Sequence, residues 1–289
     1  MSDLEKILNI QEFATLPEVT TKILDYIEQD NFNFSGLAKL IETDATLSMK
    51  LIKVANSPMF AMKVNINSIT QVVQVLGVNR VANLVLAVSI FSKFVISENK
   101  KIVEFINKVL WHSSCVAIVS KSISKKLNLS LNEKEFTFGI LHDMGKLAML
   151  QYDPRRYLKV LEMIQNEDIS PIVADKKLFD CTHVEVTTAI LNKWKMPPDF
   201  VGISTRRYDL CRSDYEKNLM SVVLLADVFC EIWGSGFFGG ISQVQIDKVE
   251  YWEMLSKLNN LQDFDLEKFT IELEEEFKNT KNFLDIMQG

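Results

Sequence analysis

The chain contains three histidines, His112, His142 and His183, each within or at the start of an apolar stretch. Two carboxylates have equally apolar surroundings. Asp143 follows His142 in GILHDMGKLAML (Gly139–Leu150), and Asp227 is the one charged residue between Ser221 and Cys230 in SVVLLADVFC. An unpartnered carboxylate is costly to bury, so each must meet a cation, a donor or a metal. Imidazole nitrogens and carboxylate oxygens converging from separate helices are what a divalent-metal site in a helical bundle requires. Such an ion would activate water for attack on phosphorus. The competing reading is structural. A lone His in an apolar helix is more often a satisfied core residue than a ligand. Lys146, three residues after Asp143 on the same helix face, also offers that carboxylate a partner. The order H…HD…D, widely spaced with each member on its own helix, favours a site of His112, His142, Asp143 and Asp227, with His183 as an extra donor. A His/Asp set does not choose among Fe, Mn, Zn, Ni and Mg for one divalent ion.

Helical periodicity dominates the elements that would position these residues. Val19, Ile23, Leu24 and Ile27 form one apolar stripe. Ser35 and Asp44 are expected to cap short helices at Gly36–Ile41 and Ala45–Ala55, and Pro58 in NSPMF stops the second. Ser68 caps Ile69–Leu76, which Gly77 ends. A longer helix is expected over Asn79–Phe94, and another over Ile102–Leu127 carrying Trp111, His112 and Cys115. Asn132 or Glu133 starts the helix that runs through the HD pair. Pro154, Pro171 and Pro197-Pro198 mark helix starts, where a missing N–H costs nothing. Thr182 caps His183–Trp194, and Tyr215–Trp233 is an apolar helix. GSGFFGG (Gly234–Gly240) lacks the Lys and Ser/Thr of a phosphate-binding loop and reads as a loop. Asp265–Ile286 is amphipathic and acidic, anchored by Leu266, Phe269, Leu273, Phe277 and Leu284. The expectation is an all-α protein: an N-terminal subdomain of short helices at 1–100, a helical bundle at 101–235 and a C-terminal helical extension at 236–289.

Composition narrows the function. The 289 residues are 47% apolar and 24% charged, with few glycines and prolines, as expected of a helical globular chain. A net charge of −6 argues against general nucleic-acid binding. The four cysteines are scattered without a C-x-x-C pair, which points to reduced thiols and a cytosolic setting. The N-terminus lacks the pattern of a signal peptide. The apolar segment Val81–Ile96, interrupted by Asn83 and Lys93, is too short to span a bilayer. Lys121, Lys125, Lys126, Arg155 and Arg156 read as solvated faces, the four tryptophans as packing, and Asn56 as a helix-end cap.

His112, His142-Asp143 and Asp227 resemble the H…HD…D signature of the HD metal-dependent phosphohydrolases. His142-Asp-Met-Gly-Lys146 is similar to the H-D-x-G-K of the branch that cleaves cyclic di-GMP. LPEV (Leu16–Val19), KVANS (Lys53–Ser57), SITQVVQVLG (Ser68–Gly77), Asn79–Leu86 and THVEV…LNKWKMPPDF (Thr182–Phe200) together resemble the HDOD family of bacterial signalling proteins, over about residues 10–235. The resemblance implies an HD-like helical bundle in a regulatory or output module, often in signal transduction and motility. It also implies a signalling-protein partner and an incomplete metal and catalytic set.

The sequence departs from the related enzymes after Pro197-Pro198-Asp199. A histidine pair is expected there, and Ser204-Thr205-Arg206-Arg207-Tyr208 stands instead. Arginine cannot ligate a metal cation. Two answers remain for Asp143 and Asp227: a single metal, or a guanidinium from Arg206 or Arg207 that neutralises them. The leading expectation is a cytoplasmic, non-catalytic signalling protein acting by partner or ligand binding. The rival is a phosphohydrolase acting on a nucleotide or cyclic dinucleotide.

Overall fold

The structure, a computed structural model, describes residues 1–10, 18–27, 33–56, 65–91, 99–167, 169–236 and 244–279. Among the described residues every regular element is a helix, so the all-α expectation holds. In the first half, α1 (Asp3–Leu8) is followed by α2 (Glu18–Ile27), α3 (Phe34–Glu42), α4 (Ala45–Ala55), α5 (Ile69–Leu76) and α6 (Val78–Phe91). Helices α2 to α6 pack on one another. Asp44 and Ser68 cap α4 and α5 as expected, each side chain accepting a first-turn amide. Each such cap stabilises by about 1 kcal/mol. Asn33, not Ser35, caps α3: its carboxamide oxygen accepts from the Gly36 amide at 2.8 Å, and the helix starts two residues early. Gly77, at φ +78°, ends α5 in a conformation that L side chains rarely adopt. Asn56 has the structural role expected of it. Its amide donates to the Ile52 and Ile66 carbonyls at 3.0 and 2.6 Å, and its oxygen accepts from the Ile66 amide at 2.7 Å.

The second half is built round α7 (Lys100–Lys126), a 27-residue helix buried over much of its length. By length and composition α7 could cross a membrane; here its apolar face supplies the core. Packed on it or on one another are α8 (Lys134–Leu141), α9 (Met144–Tyr152), α10 (Pro154–Glu167), α11 (Pro171–Leu178), α12 (His183–Lys193), α13 (Pro198–Ser204) and α14 (Asp214–Ile232). The expected continuous helix over Gly139–Leu150 is not formed. The chain breaks at His142-Asp143, which join the end of α8 to the start of α9. Asp143 takes φ −113°, ψ 14°, in the sparsely populated bridge region where active-site residues often lie.

Two glycines let neighbouring helices close on this break. A Cβ on Gly139 would lie 2.6 Å from the Ala117 Cα in α7, and a Cβ on Gly145 would lie 2.0 Å from the His183 carbonyl oxygen in α12. The Gly145 amide donates to Thr187 Oγ1 at 2.9 Å, and that hydroxyl donates to the His183 carbonyl at 2.8 Å.

The first and the last two described helices brace the second half. Helix α1 packs on α9 and α12, where the Asp3 carboxylate accepts from both terminal nitrogens of Arg156 (2.9 and 3.0 Å) and from the Tyr152 hydroxyl. Arg156 also stacks over Phe179 at 4.0 Å. Helices α15 (Glu250–Asn259) and α16 (Leu266–Asn279) pack on α14 and α7, with Trp233 stacked between Phe229 and Phe277. Lys126 pairs with Glu272 and Glu276 of α16 at 2.9 and 3.0 Å, and Lys121 with Glu133 at 3.0 Å. So Arg156, Lys121 and Lys126 are braces between elements and not the solvated faces expected of them; Lys125 and Arg155 are exposed. The anchors Leu266, Phe269, Leu273 and Phe277 lie on α16 or at its start, whereas Leu284, most of the GSGFFGG loop, and part of LPEV and NSPMF lie outside the described residues.

Candidate functional site

The break between α8 and α9 points two side chains the same way. The His142 Nδ1–H donates to the Gly139 carbonyl at 2.7 Å, which turns Nε2 inward. Asp143 heads α9 but caps no amide of that helix, so its carboxylate is free to reach across the bundle. An imidazole at a helix C-terminus and a carboxylate at a helix N-terminus each suit the local dipole.

His112 arrives from the middle of α7 and Asp227 from α14. His112 Nε2 is 2.9 Å from Asp227 Oδ1 and 3.8 Å from Asp143 Oδ2, and its Nδ1 is 3.1 Å from the Ser235 carbonyl oxygen. A carbonyl can only accept, so Nδ1 bears the proton of that contact. The 2.9 Å contact then places a second acceptor opposite Nε2. His142 Nε2 lies at ion-pair distance from Asp143 Oδ2 (3.4 Å) and Asp227 Oδ1 (3.7 Å), and it is buried without a hydrogen-bond partner. Ligand atoms of His112, His142 and Asp227 fall within 4.8 Å of one another. An orphaned imidazole nitrogen beside a second imidazole and a carboxylate is a donor set that fits one divalent ion. Such an ion would supply Lewis acidity and lower the pKa of bound water.

Asp143 is differently occupied. Lys146 Nζ donates to its Oδ2 at 2.5 Å and Arg206 Nη2 to its Oδ1 at 3.0 Å. The structure therefore realises both partners that the sequence offered this carboxylate. Arg207 lies outside the cluster, exposed and paired with Asp209. Arg206 follows α13 in a left-handed conformation, φ +56°, uncommon for a residue with a Cβ. Of these side chains, Asp227 and Arg206 reach solvent, at 21% and 20% exposure, while Asp143 is at 1%.

The fifth candidate, His183, opens α12. Its Nδ1 is 2.5 Å from Asp175 Oδ2, which also accepts the His183 amide at 2.9 Å. Its Nε2 lies 3.9 Å from Asp143 Oδ1. The five residues are thus brought to one place, in two layers: His112, His142 and Asp227 on one side of Asp143, His183 and Asp175 on the other.

The protonation pattern follows from this arrangement. Burial would raise the Asp143 pKa, but His142, Lys146 and Arg206 outweigh it and hold that carboxyl well below its ordinary value. Burial acts the same way on Asp227, and His112 and His142 overcome it. For His142, burial lowers the pKa, but the field of Asp143 and Asp227 reverses this and lifts it to about 9. In His183 burial prevails, reinforced by Lys146, and the pKa falls despite Asp175. A neutral His183 that donates Nδ1–H to Asp175 presents a lone pair at Nε2.

Sequence reading missed two orienting groups. Asp175 stands in a polar helix beside two lysines, and nothing in that pattern marks it as buried. The Ser235 carbonyl is a backbone group and left no signal in the sequence.

The family model for the HDOD domain matches residues 13–210. The chain belongs to the HDOD family. The match ends before Asp227, so the last member of the cluster and the Ser235 carbonyl come from beyond it. Among solved structures, an HDOD domain protein of unknown function from Geobacter sulfurreducens superposes with a TM-score of 0.78 at 20% identity, over 94% of this chain and 92% of that one. A protein from Shewanella amazonensis SB2B, provisionally named a phosphohydrolase, gives 0.72 at 19% identity over 99% and 98%. A protein from Marinobacter aquaeolei VT8, provisionally named for signal transduction, gives 0.67 at 18% identity over 95% of this chain and 59% of that one. At these identities the likeness is one of fold. A curated relative in Treponema pallidum (strain Nichols), carrying the name "Uncharacterized protein", is 23% identical over 222 residues, which is 76% of this chain. This HDOD chain matches only 42% of the length of that relative.

Proposed function

We propose that this HDOD protein is a cytoplasmic signalling module that acts by binding a protein partner or ligand, and that its His/Asp pocket turns over no substrate. The observation that carries this reading is the state of Asp143. Both oxygens of the HD carboxylate are held by protein cations, Lys146 at 2.5 Å and Arg206 at 3.0 Å, and Arg206 falls in the segment where the resemblance to the HD phosphohydrolases implies a histidine pair. A carboxylate so neutralised is a poor ligand for a second metal, and a phosphohydrolase of the two-metal type needs both ions. A single ion at His112, His142 and Asp227 is compatible with this reading and would serve the fold. The name of the Marinobacter protein agrees with a signalling role, and the net charge of −6 speaks against a nucleic-acid partner.

The orphaned Nε2 of His142 favours a second reading, a phosphohydrolase working with one ion. The two readings separate in one experiment. Protein purified without chelator or affinity-tag metal is analysed for metal. It is then assayed with Mn²⁺ or Fe²⁺ on bis(p-nitrophenyl) phosphate and on a cyclic dinucleotide, beside the His142→Ala, Asp143→Ala double variant. We expect at most one ion per chain and no turnover above the variant. Turnover in wild type that the double variant lacks would overturn the non-catalytic reading in favour of the enzyme.

A further inference from the structure

The turn before α8 joins the N-terminal subdomain to the pocket, and it does so at local cost. Asn132 and Glu133 are both left-handed, at φ +55° and +63°. Glutamate is a poor residue for that conformation, and Glu133 stands at the N-cap of α8 without capping it. Its side chain is spent elsewhere. Oε1 accepts from Arg80 Nε of α6 at 2.7 Å and Oε2 from Lys121 Nζ of α7 at 3.0 Å, while the Glu133 carbonyl accepts from Asn83 Nδ2 of α6 at 3.1 Å. Two residues on, Glu135 is 4% exposed with an unpartnered carboxyl oxygen. Strained backbone and an unsatisfied buried polar group persist only where surrounding contacts impose them. Around Glu133 those contacts come from α6 and α7.

From this turn two short routes lead to the pocket. Helix α8 has eight residues and spans about 12 Å; it ends at His142, whose ring is fixed by the Gly139 carbonyl. Lys134, next to Glu133, pairs with Asp199 of α13, and two residues beyond α13 stands Arg206, the cation on Asp143. The same turn therefore lies one short element away from both the HD pair and its arginine.

We propose that the Asn132–Lys134 turn is a latch that couples the N-terminal subdomain to the His/Asp pocket. Displacing α6 from Glu133 loosens the Arg206–Asp143 pair, and loosening that pair frees α6. The coupling is reciprocal because both ends share one linkage. It rests on the fold and holds whether or not the pocket carries a metal or turns over a substrate.

Hydrogen exchange by mass spectrometry tests it on the full chain. In Glu133→Gln we expect exchange to rise about tenfold in peptides covering 78–88 and also 139–147. Arg80→Gln, a half-exposed change that keeps Glu133, should act in the same direction but more weakly. Arg206→Ala should raise exchange at 78–88 reciprocally. Lys126→Gln, which cuts the α7–α16 pairing, serves as the control and should leave 139–147 unchanged. The latch is overturned if Glu133→Gln and Arg80→Gln speed exchange only near their own positions. It is overturned equally if the Lys126→Gln control loosens the pocket as much as they do.

Discussion

Replacing Arg206 separates two opposing contributions at one position. The guanidinium donates to Asp143 at 3.0 Å, with Asp143 at 1% exposure and Arg206 at 20%. Breaking a fully buried pair by removing one partner costs about 3–5 kcal/mol. Here Lys146 stays on the other oxygen at 2.5 Å and the arginine is partly solvated, so about 2 kcal/mol is expected for Arg206→Ala. Alanine keeps a Cβ at φ +56° and the backbone strain with it. Glycine removes that strain and recovers about 1 kcal/mol. Arg206→Gly should therefore be less damaging than Arg206→Ala, with a loss of about 1 kcal/mol. For a chain of this size these losses correspond to falls in Tm of about 4 °C for alanine and about 2 °C for glycine. Urea titrations with a shared m-value give the free energies directly. Arg207→Ala, which removes an exposed pair with Asp209, should leave the urea midpoint where it is in wild type. The reasoning is refuted if Arg206→Ala matches Arg207→Ala, or if glycine is worse than alanine.

Two further outcomes follow from the geometry. Gly145→Ala places a methyl 2.0 Å from a backbone oxygen of α12 that cannot rotate away; it should cost about 3 kcal/mol or more, read as lost soluble yield and a lower Tm. His142 has its pKa raised from 6.5 to about 9, so its contribution is fully present below pH 6.5 and is lost as pH rises toward 9. Wild-type unfolding free energy should fall by up to about 3 kcal/mol over that window, and a profile as steep in His142→Gln would show that another group is responsible.

The helical class and most element boundaries were legible in the sequence because local rules act there. Asp44, Ser68 and Thr182 cap where a short polar side chain precedes an apolar run, and Pro154, Pro171 and Pro198 open helices because proline is tolerated in a first turn. The candidate cluster was legible for a different reason. A His or Asp inside an apolar run must find a partner, and the three histidines with Asp143 and Asp227 do converge. The break at His142-Asp143 was not legible. Apolar residues continue through Gly139–Leu150, and periodicity does not register a single residue turned out of helical geometry by partners on other helices. The same limit hid Asp175, whose burial is set by packing of α11 on α12, and the Ser235 carbonyl, which sequence composition does not encode.

Sequence alone determined which side chains were available to neutralise Asp143: Lys146 by its spacing on the helix face, and Arg206 or Arg207 by the absence of a histidine pair. Tertiary structure decided among them. The left-handed turn after α13 aims Arg206 at the carboxylate and leaves Arg207 with Asp209 in solvent. Residue type fixes the charge a position can carry, whereas the direction it faces depends on backbone dihedrals that packing alone selects.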